Sequence, residues 1–276
     1  MRKADLANGE AVPALGMGTW RMGERAGRKA EELAALGLGL DLGMTLVDTA
    51  EMYGDGGSEE LVGEAIRGRR DEVFLVTKFY PHNASRTGVP AACARSLKRL
   101  GTDRIDLYLL HWPGATPLDE TVAALERLQA AGHIRHWGVS NFDTDDMEEL
   151  VSAGGAACRT DQVLYNLGRR GIEFDLLPWA DHHRMPVMAY TPLEPGRLAG
   201  KPALARIAAD RGVEPLQVAL AWVLRRPQVI AIPKASSEAH VRLNRAAHDL
   251  VLSEAELAAL DAAFPPPTRK RGLEML

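Results

Sequence analysis

Cysteine is nearly absent: Cys93 and Cys158 are the only two in 276 residues. Two cysteines cannot form a disulfide framework, and no pair here has metal-finger spacing, so a reducing compartment is expected. Long apolar runs are missing too. No stretch approaches the roughly 18 residues that a membrane-spanning helix needs. Met1-Arg2-Lys3-Ala4-Asp5 lacks the apolar segment of a secretory signal. Charge of one sign is not in excess. The net charge is -4 with 25% charged residues, which gives no broad field for a nucleic acid. No linker, repeat or low-complexity segment divides the chain, and no long apolar stripe calls for a second copy. These absences predict a cytoplasmic globular protein, monomeric by default, with neither nucleic acid nor membrane as partner.

Apolar residues make up 46% of the chain, enough for a large core. Short β-like runs recur at Leu15–Gly18, Thr45–Thr49, Val73–Lys78, Ile105–His111, Arg135–Ser140, Asp161–Tyr165, Pro186–Thr191 and Val229–Pro233. Most are apolar at consecutive positions, as strands buried on both faces of a parallel sheet are. Helical patterns separate them. Val122, Leu125 and Leu128 form one stripe, closed by Gly132, and Ala91–Leu100 behaves alike before Gly101. Ser58 reads as a helix start, followed by Glu59 and Glu60. Ser253 with Glu256 spells a capping box, and Leu252 with Leu257 a hydrophobic staple.

Eight such units fit an open doubly wound sheet or a closed barrel. The polar residues favour the barrel. Asp48, Lys78, His111, Ser140, Asn141, Tyr190 and Lys234 all fall at C-terminal ends of expected strands, where a barrel places its site. The expectation is one (β/α)8 domain over residues 1–276, with a short N-terminal β-hairpin. A tail follows Pro265-Pro266-Pro267, and its Leu273, Met275 and Leu276 either dock over the pocket or fray. A dinucleotide fingerprint fails. Gly16-Met17-Gly18-Thr19-Trp20-Arg21 has arginine where the third glycine belongs, and Gly37-Leu38-Gly39 is mid-helix. The corner Ile232-Pro233-Lys234-Ala235-Ser236-Ser237 instead joins a strand to a helix start, with a lysine ready for an anion.

Several segments together resemble one family, the aldo-keto reductases. They are Leu15–Trp20, Val47-Asp48-Thr49-Ala50-Glu51-Met52-Tyr53-Gly54, Val76-Thr77-Lys78, Ile105–Pro113, Gly138–Phe142, Gln162–Asn166, Tyr190–Leu193 and Ile232-Pro233-Lys234. The resemblance implies a (β/α)8 barrel that binds NADPH without a Rossmann domain and reduces aldehydes and ketones. It implies a catalytic tetrad of Asp48, Tyr53, Lys78 and His111. Ser140, Asn141 and Gln162 would hold the nicotinamide amide, and Tyr190 would stack on its ring. Gly18, Thr19, Trp20, Asp48, Thr191, Leu193 and Gly196 would line the cofactor's path. Lys234, Ser236, His240 and Asn244 would meet the adenosine end. His240 stands where the family often has arginine, and Leu243 replaces an acidic residue. NADPH is therefore expected with some use of NADH. Trp20, Phe79, His111 and Trp112, with Tyr80, would wall the substrate pocket.

Carbonyl reduction needs a proton at oxygen. A free tyrosine, with a pKa of about 10, is a poor acid near neutrality. Lys78 beside Tyr53 is expected to lower that value, with Asp48 holding Lys78 charged and His111 hydrogen-bonding the carbonyl. Two other readings compete. One is a metal hydrolase using His82, His111, Asp48 and Glu51. The other is an NADPH-binding regulatory, redox-sensing subunit with little turnover.

Overall fold

The computed structural model describes every residue except Asn8 and Ala199. Its strands are β1 (Lys3–Asp5), β2 (Ala11–Pro13), β3 (Met17–Gly18), β4 (Leu46–Asp48), β5 (Phe74–Phe79), β6 (Ile105–Leu110), β7 (Ile134–Ser140), β8 (Asp161–Leu164), β9 (Val187–Tyr190) and β10 (Val229–Ala231). Each of the eight expected runs contains one strand, trimmed or shifted by a residue or two at the ends. β3 to β10 form one parallel sheet in sequence order. The sheet curls until its edges meet. Gly16 N donates to Ala231 O at 2.9 Å and Gly18 N to Pro233 O at 3.2 Å, with parallel bridges Leu15↔Ala231 and Gly18↔Lys234. A Cβ on Gly18 would lie 2.6 Å from Ile232 O, so this seam closes only around glycine.

The helices are α1 (Lys29–Asp41), α2 (Gly57–Ala65), α3 (Gly88–Leu100), α4 (Leu118–Ala130), α5 (Thr144–Ser152), α6 (Leu176–His182), α7 (Pro195–Leu198), α8 (Pro202–Arg211), α9 (Pro215–Leu224), α10 (Glu238–Ala247) and α11 (Glu254–Ala263). Gly101, with φ 63°, ends α3, and Gly132, with φ 79°, follows α4. The Ser253–Glu256 capping box opens α11. Ser58 does not cap α2. Gly56 holds that position at φ 93°, and Ser58 lies inside the helix, donating to the Thr19 hydroxyl at 2.8 Å. Among the described residues, no helix is long and apolar enough to cross a membrane.

Period-two alternation sorts the strand side chains into two cores. Leu46, Phe74, Val76, Leu107, Leu109, Met188, Ile230 and Ile232 point into the barrel. Val47, Leu75, Phe79, Tyr108, Leu110, Val139, Val163 and Ala231 point out, against the helices. The β1–β2 hairpin pairs antiparallel and plugs the barrel floor, with Ala4, Leu6, Val12 and Ala14 joining the inner core. Around the plug, Glu10 binds Arg135 at 2.7 Å and His136 at 2.6 Å. The polar residues that line the cleft lie at the opposite, C-terminal rim.

Leu6 is 2% exposed, so Leu6→Ala leaves a cavity beneath the barrel. Urea denaturation should show a loss of about 2–4 kcal/mol. A loss well under about 1 kcal/mol would mean that the hairpin does not seal the floor.

Candidate active site

The inward positions of β4 and β5 carry Leu46 and Asp48, and Val76 and Lys78. The last inward residue of each strand is therefore charged, one layer above the apolar core. Lys78 is fully buried, yet all three of its ammonium protons have acceptors: Asp48 Oδ2 at 2.8 Å, Thr49 O at 2.9 Å and Tyr53 Oη at 3.2 Å. Gln162 Nε2 donates to the other Asp48 oxygen, also at 2.8 Å. With a donor on each oxygen and an ammonium alongside, Asp48 is held as a carboxylate.

Tyr53 stands on the turn between β4 and α2. Its loop is tightly wound: Gly54, Asp55 and Gly56 have φ of 57°, 51° and 93°. A Cβ on Gly56 would reach within 2.5 Å of the Arg99 side chain. Arg99 in turn binds Glu59 at 2.6 Å, and Glu59 accepts from Thr77 at 2.6 Å. Glu51 takes Tyr80 N and Asn83 Nδ2, both at 2.8 Å, tying the Tyr53 loop to the loop after β5.

Burial works against the Lys78 ammonium, but Asp48 and Tyr53 together hold its pKa above the ordinary lysine value. Burial also pushes the Asp48 carboxyl upward, against the pull of Lys78. For Tyr53, the expectation of a lowered pKa is reversed. Burial raises it, Asp48 adds to the rise, and Lys78 only partly offsets both. The reason is that Lys78 does not act as a lone cation. Paired with Asp48, it presents a dipole, and a dipole cannot repay the desolvation of a phenolate. Tyr53 is thus a loaded acid at neutral pH.

His111 follows β6. Its ring lies 5.9 Å from that of Tyr53, edge to face, and 4.8 Å from that of Trp112. Burial first, then Lys78, pushes its pKa down to about 2, so the imidazole is neutral. Among the described residues Nδ1 is buried without a partner, which leaves the ring proton best placed on Nε2 of this cleft-lining ring.

These groups open on a cleft of about 1320 Å³. That exceeds the roughly 300–1,000 Å³ of ordinary small-ligand sites. Its lining includes Gly18, Thr19, Trp20, Asp48, Tyr53, His111, Trp112, Ser140, Asn141, Gln162, Tyr190, Thr191, Leu193, Gly196, Lys234, His240 and Asn244. Lys78 lies directly behind Tyr53, and Ser236 behind Lys234, accepting from its Nζ at 3.0 Å. Phe79 does not join them. It follows Lys78 by one position, so it points outward, where it is fully buried against Tyr108 at 4.8 Å. The substrate-wall expectation for Phe79 is corrected accordingly. Tyr80 does reach that side, with its ring 5.8 Å from Trp112. The metal reading finds no centre: among the described residues, no three His, Cys, Asp or Glu side chains group to hold an ion.

The cleft's residues suit a dinucleotide. Ser140, Asn141 and Gln162 supply amide-matching donors and acceptors on one wall, beside the Tyr190 ring, whose hydroxyl donates to Asn141 Oδ1 at 2.9 Å. Lys234 lies on the same continuous lining, beyond the apolar stretch of Ile232 and Pro233. The tail docks. Met275 and Leu276 line the cleft, and Leu273 packs on the outer core. Arg169 ties this tail to the loop after β9, binding Glu274 at 2.6 Å and Glu194 at 3.1 Å. Arg169 and Glu194 carry no signal in the sequence, because ion pairs between distant loops leave no local signature.

The Aldo/keto reductase family matches residues 14–264, and the chain belongs to it. Methylglyoxal reductase YeaE of Escherichia coli is 53% identical over 272 residues, which cover 96% of each chain. A crystal structure of an aldo/keto reductase from Klebsiella pneumoniae in complex with NADP and acetate superimposes with a TM-score of 0.97. The identity is 53%, and all of both chains is covered. A second Klebsiella pneumoniae structure, in complex with NADPH, matches equally well.

His111 also couples the site to acid stability. In the unfolded chain it binds a proton below about pH 6.5, whereas in the fold it does so only near pH 2. Above pH 6.5 it therefore costs nothing, and below it withdraws stability. The stability of wild type relative to His111→Gln should shrink on acidification from pH 7 to 5. The limit is about 1.4 kcal/mol per pH unit. A pH-independent difference would show that His111 titrates normally in the fold.

Proposed function

We propose that residues 1–276 act as one (β/α)8 reductase domain in which Asp48, Lys78, Tyr53 and His111 perform proton transfer to a carbonyl. The activity is NADPH-dependent reduction of aldehydes and ketones to alcohols. The observation that carries the assignment of roles is the fully buried Lys78 ammonium, shared among Asp48, Thr49 and Tyr53 at the floor of the cleft. When bound, NADPH supplies the hydride.

The chain's own residues do the rest. The carbonyl oxygen sits between Tyr53 Oη and His111 Nε2. The neutral His111 donates a hydrogen bond that orients the oxygen and stabilises the charge developing there. Tyr53 gives up its proton to that oxygen. Lys78, at 3.2 Å, then stabilises the phenolate, and Asp48 keeps the ammonium in place. Ser140, Asn141 and Gln162 hold the nicotinamide amide, Tyr190 backs its ring, and Gly18, Thr19, Trp20, Thr191, Leu193 and Gly196 border the cofactor. Lys234, Ser236, His240 and Asn244 serve the adenosine end, with NADH a weaker alternative. Trp20, Trp112 and Tyr80 form an aromatic mouth, narrowed by Met275 and Leu276. That enclosure suits small aldehydes and α-dicarbonyls, methylglyoxal among them, as the name of the Escherichia coli relative suggests. The expected setting is a cytoplasmic monomer without nucleic-acid partners. The assembled proton relay favours turnover over the purely regulatory reading.

The test is NADPH consumption with methylglyoxal and with 4-nitrobenzaldehyde. Tyr53→Phe should lose at least about 100-fold in kcat while still quenching its fluorescence with NADPH. Equal turnover in both proteins would remove Tyr53 from the mechanism. Tight binding without turnover in the wild type would favour the regulatory reading.

A further inference from the structure

At the far end of the cleft, behind the lining residue Lys234, charges converge outside the family pattern. Ser236 is 7% exposed, and its hydroxyl oxygen receives Lys234 Nζ at 3.0 Å. From the loop ahead of α1, Arg28 Nη2 reaches the same oxygen at 3.1 Å. Two cations therefore meet on one neutral atom. Arg28 has an acidic neighbour, Glu31, at 3.1 Å. Lys234 has no ion pair among the described residues. Burial, Arg28 and Arg21 all depress its pKa, only partly countered by Glu32 and Glu24. Of these two acids, Glu32 is already engaged by Gly23 N at 2.9 Å. Like charges held this way gain most from an anion that accepts from both, with the serine hydroxyl free to turn and donate as well.

His240 lines the cleft on the same side. An imidazole grips a phosphate less firmly than the guanidinium often found at that position in the family. Resting on the reading of the cleft as an NADPH site, we propose that Arg28 supplies the missing guanidinium to the 2′-phosphate and sets the preference for NADPH over NADH. The cation is delivered from the loop between β3 and α1 rather than from α10. The Arg28 side chain is 40% exposed, so solvent screening keeps the effect moderate.

Binding can be read without turnover, by tryptophan fluorescence titration of wild type, Arg28→Ala and Arg28→Glu with NADP⁺, NAD⁺ and 2′,5′-ADP. Arg28→Ala should weaken NADP⁺ and 2′,5′-ADP by about tenfold, and Arg28→Glu by more, with NAD⁺ changed less than about twofold. Equal losses for NADP⁺ and NAD⁺ would mean that Arg28 only packs the loop. No loss for either would leave it a surface arginine. Both results overturn the proposal while leaving the NADPH site intact. A wild type that binds none of the three would overturn the underlying reading as well.

Discussion

An ammonium group buried to 0% exposure is the constraint around which the catalytic end is arranged. An unpaired charge in that position would cost many kcal/mol. The fold meets the demand with a carboxylate in the layer just above the apolar core, a backbone carbonyl and a phenol, so no ammonium proton is unsatisfied. Asp48 is in turn fixed by Gln162, across the barrel on β8. The Tyr53 loop accepts three successive residues in left-handed conformation to bring its hydroxyl to the third proton. Removing any one partner leaves a buried donor or acceptor unpaired, so the groups depend on one another.

The barrel gives the two ends separate tasks. At the floor, the β1–β2 hairpin and the Glu10, Arg135 and His136 contacts close the interior. At the rim, inward positions switch from apolar to polar within one residue pair, as in Val76 to Lys78 or Ile230 through Ile232 to Lys234. The cleft runs from Tyr53 and His111 at one end to Lys234, backed by Ser236 and Arg28, at the other. The tail and the loop after β9, joined through Arg169, narrow it between. Stability and chemistry thus draw on different faces of the same strands.

Much of this was legible in the chain itself. The eight apolar runs marked the strands, because a sheet covered on both faces leaves no alternation to disguise them. The chemical residues at their ends marked the rim. Phe79 was misplaced for a local reason: period two sends the neighbour of an inward Lys78 outward, and aromatic character alone does not reveal direction. Ser58 looked like a cap, but a left-handed Gly56 had taken that role. The direction of the Tyr53 shift is not legible from Lys78 alone, because burial and the Asp48 charge oppose its pull. Arg28 and Arg169 were invisible, since each meets its partners only across distant loops.

The central claim is that the Asp48–Lys78 pair positions Tyr53 without ionising it, because burial outweighs the pull of Lys78 on the phenol. The direct measurement is an NMR titration of ring-labelled tyrosine in the wild-type protein, with the Tyr53 signal assigned by its loss in Tyr53→Phe. The account predicts that the Tyr53 carbon shift stays that of a phenol past the ordinary tyrosine pKa of about 10. A phenolate shift developing near pH 8 would contradict it and restore Lys78 as a dominant, unopposed charge.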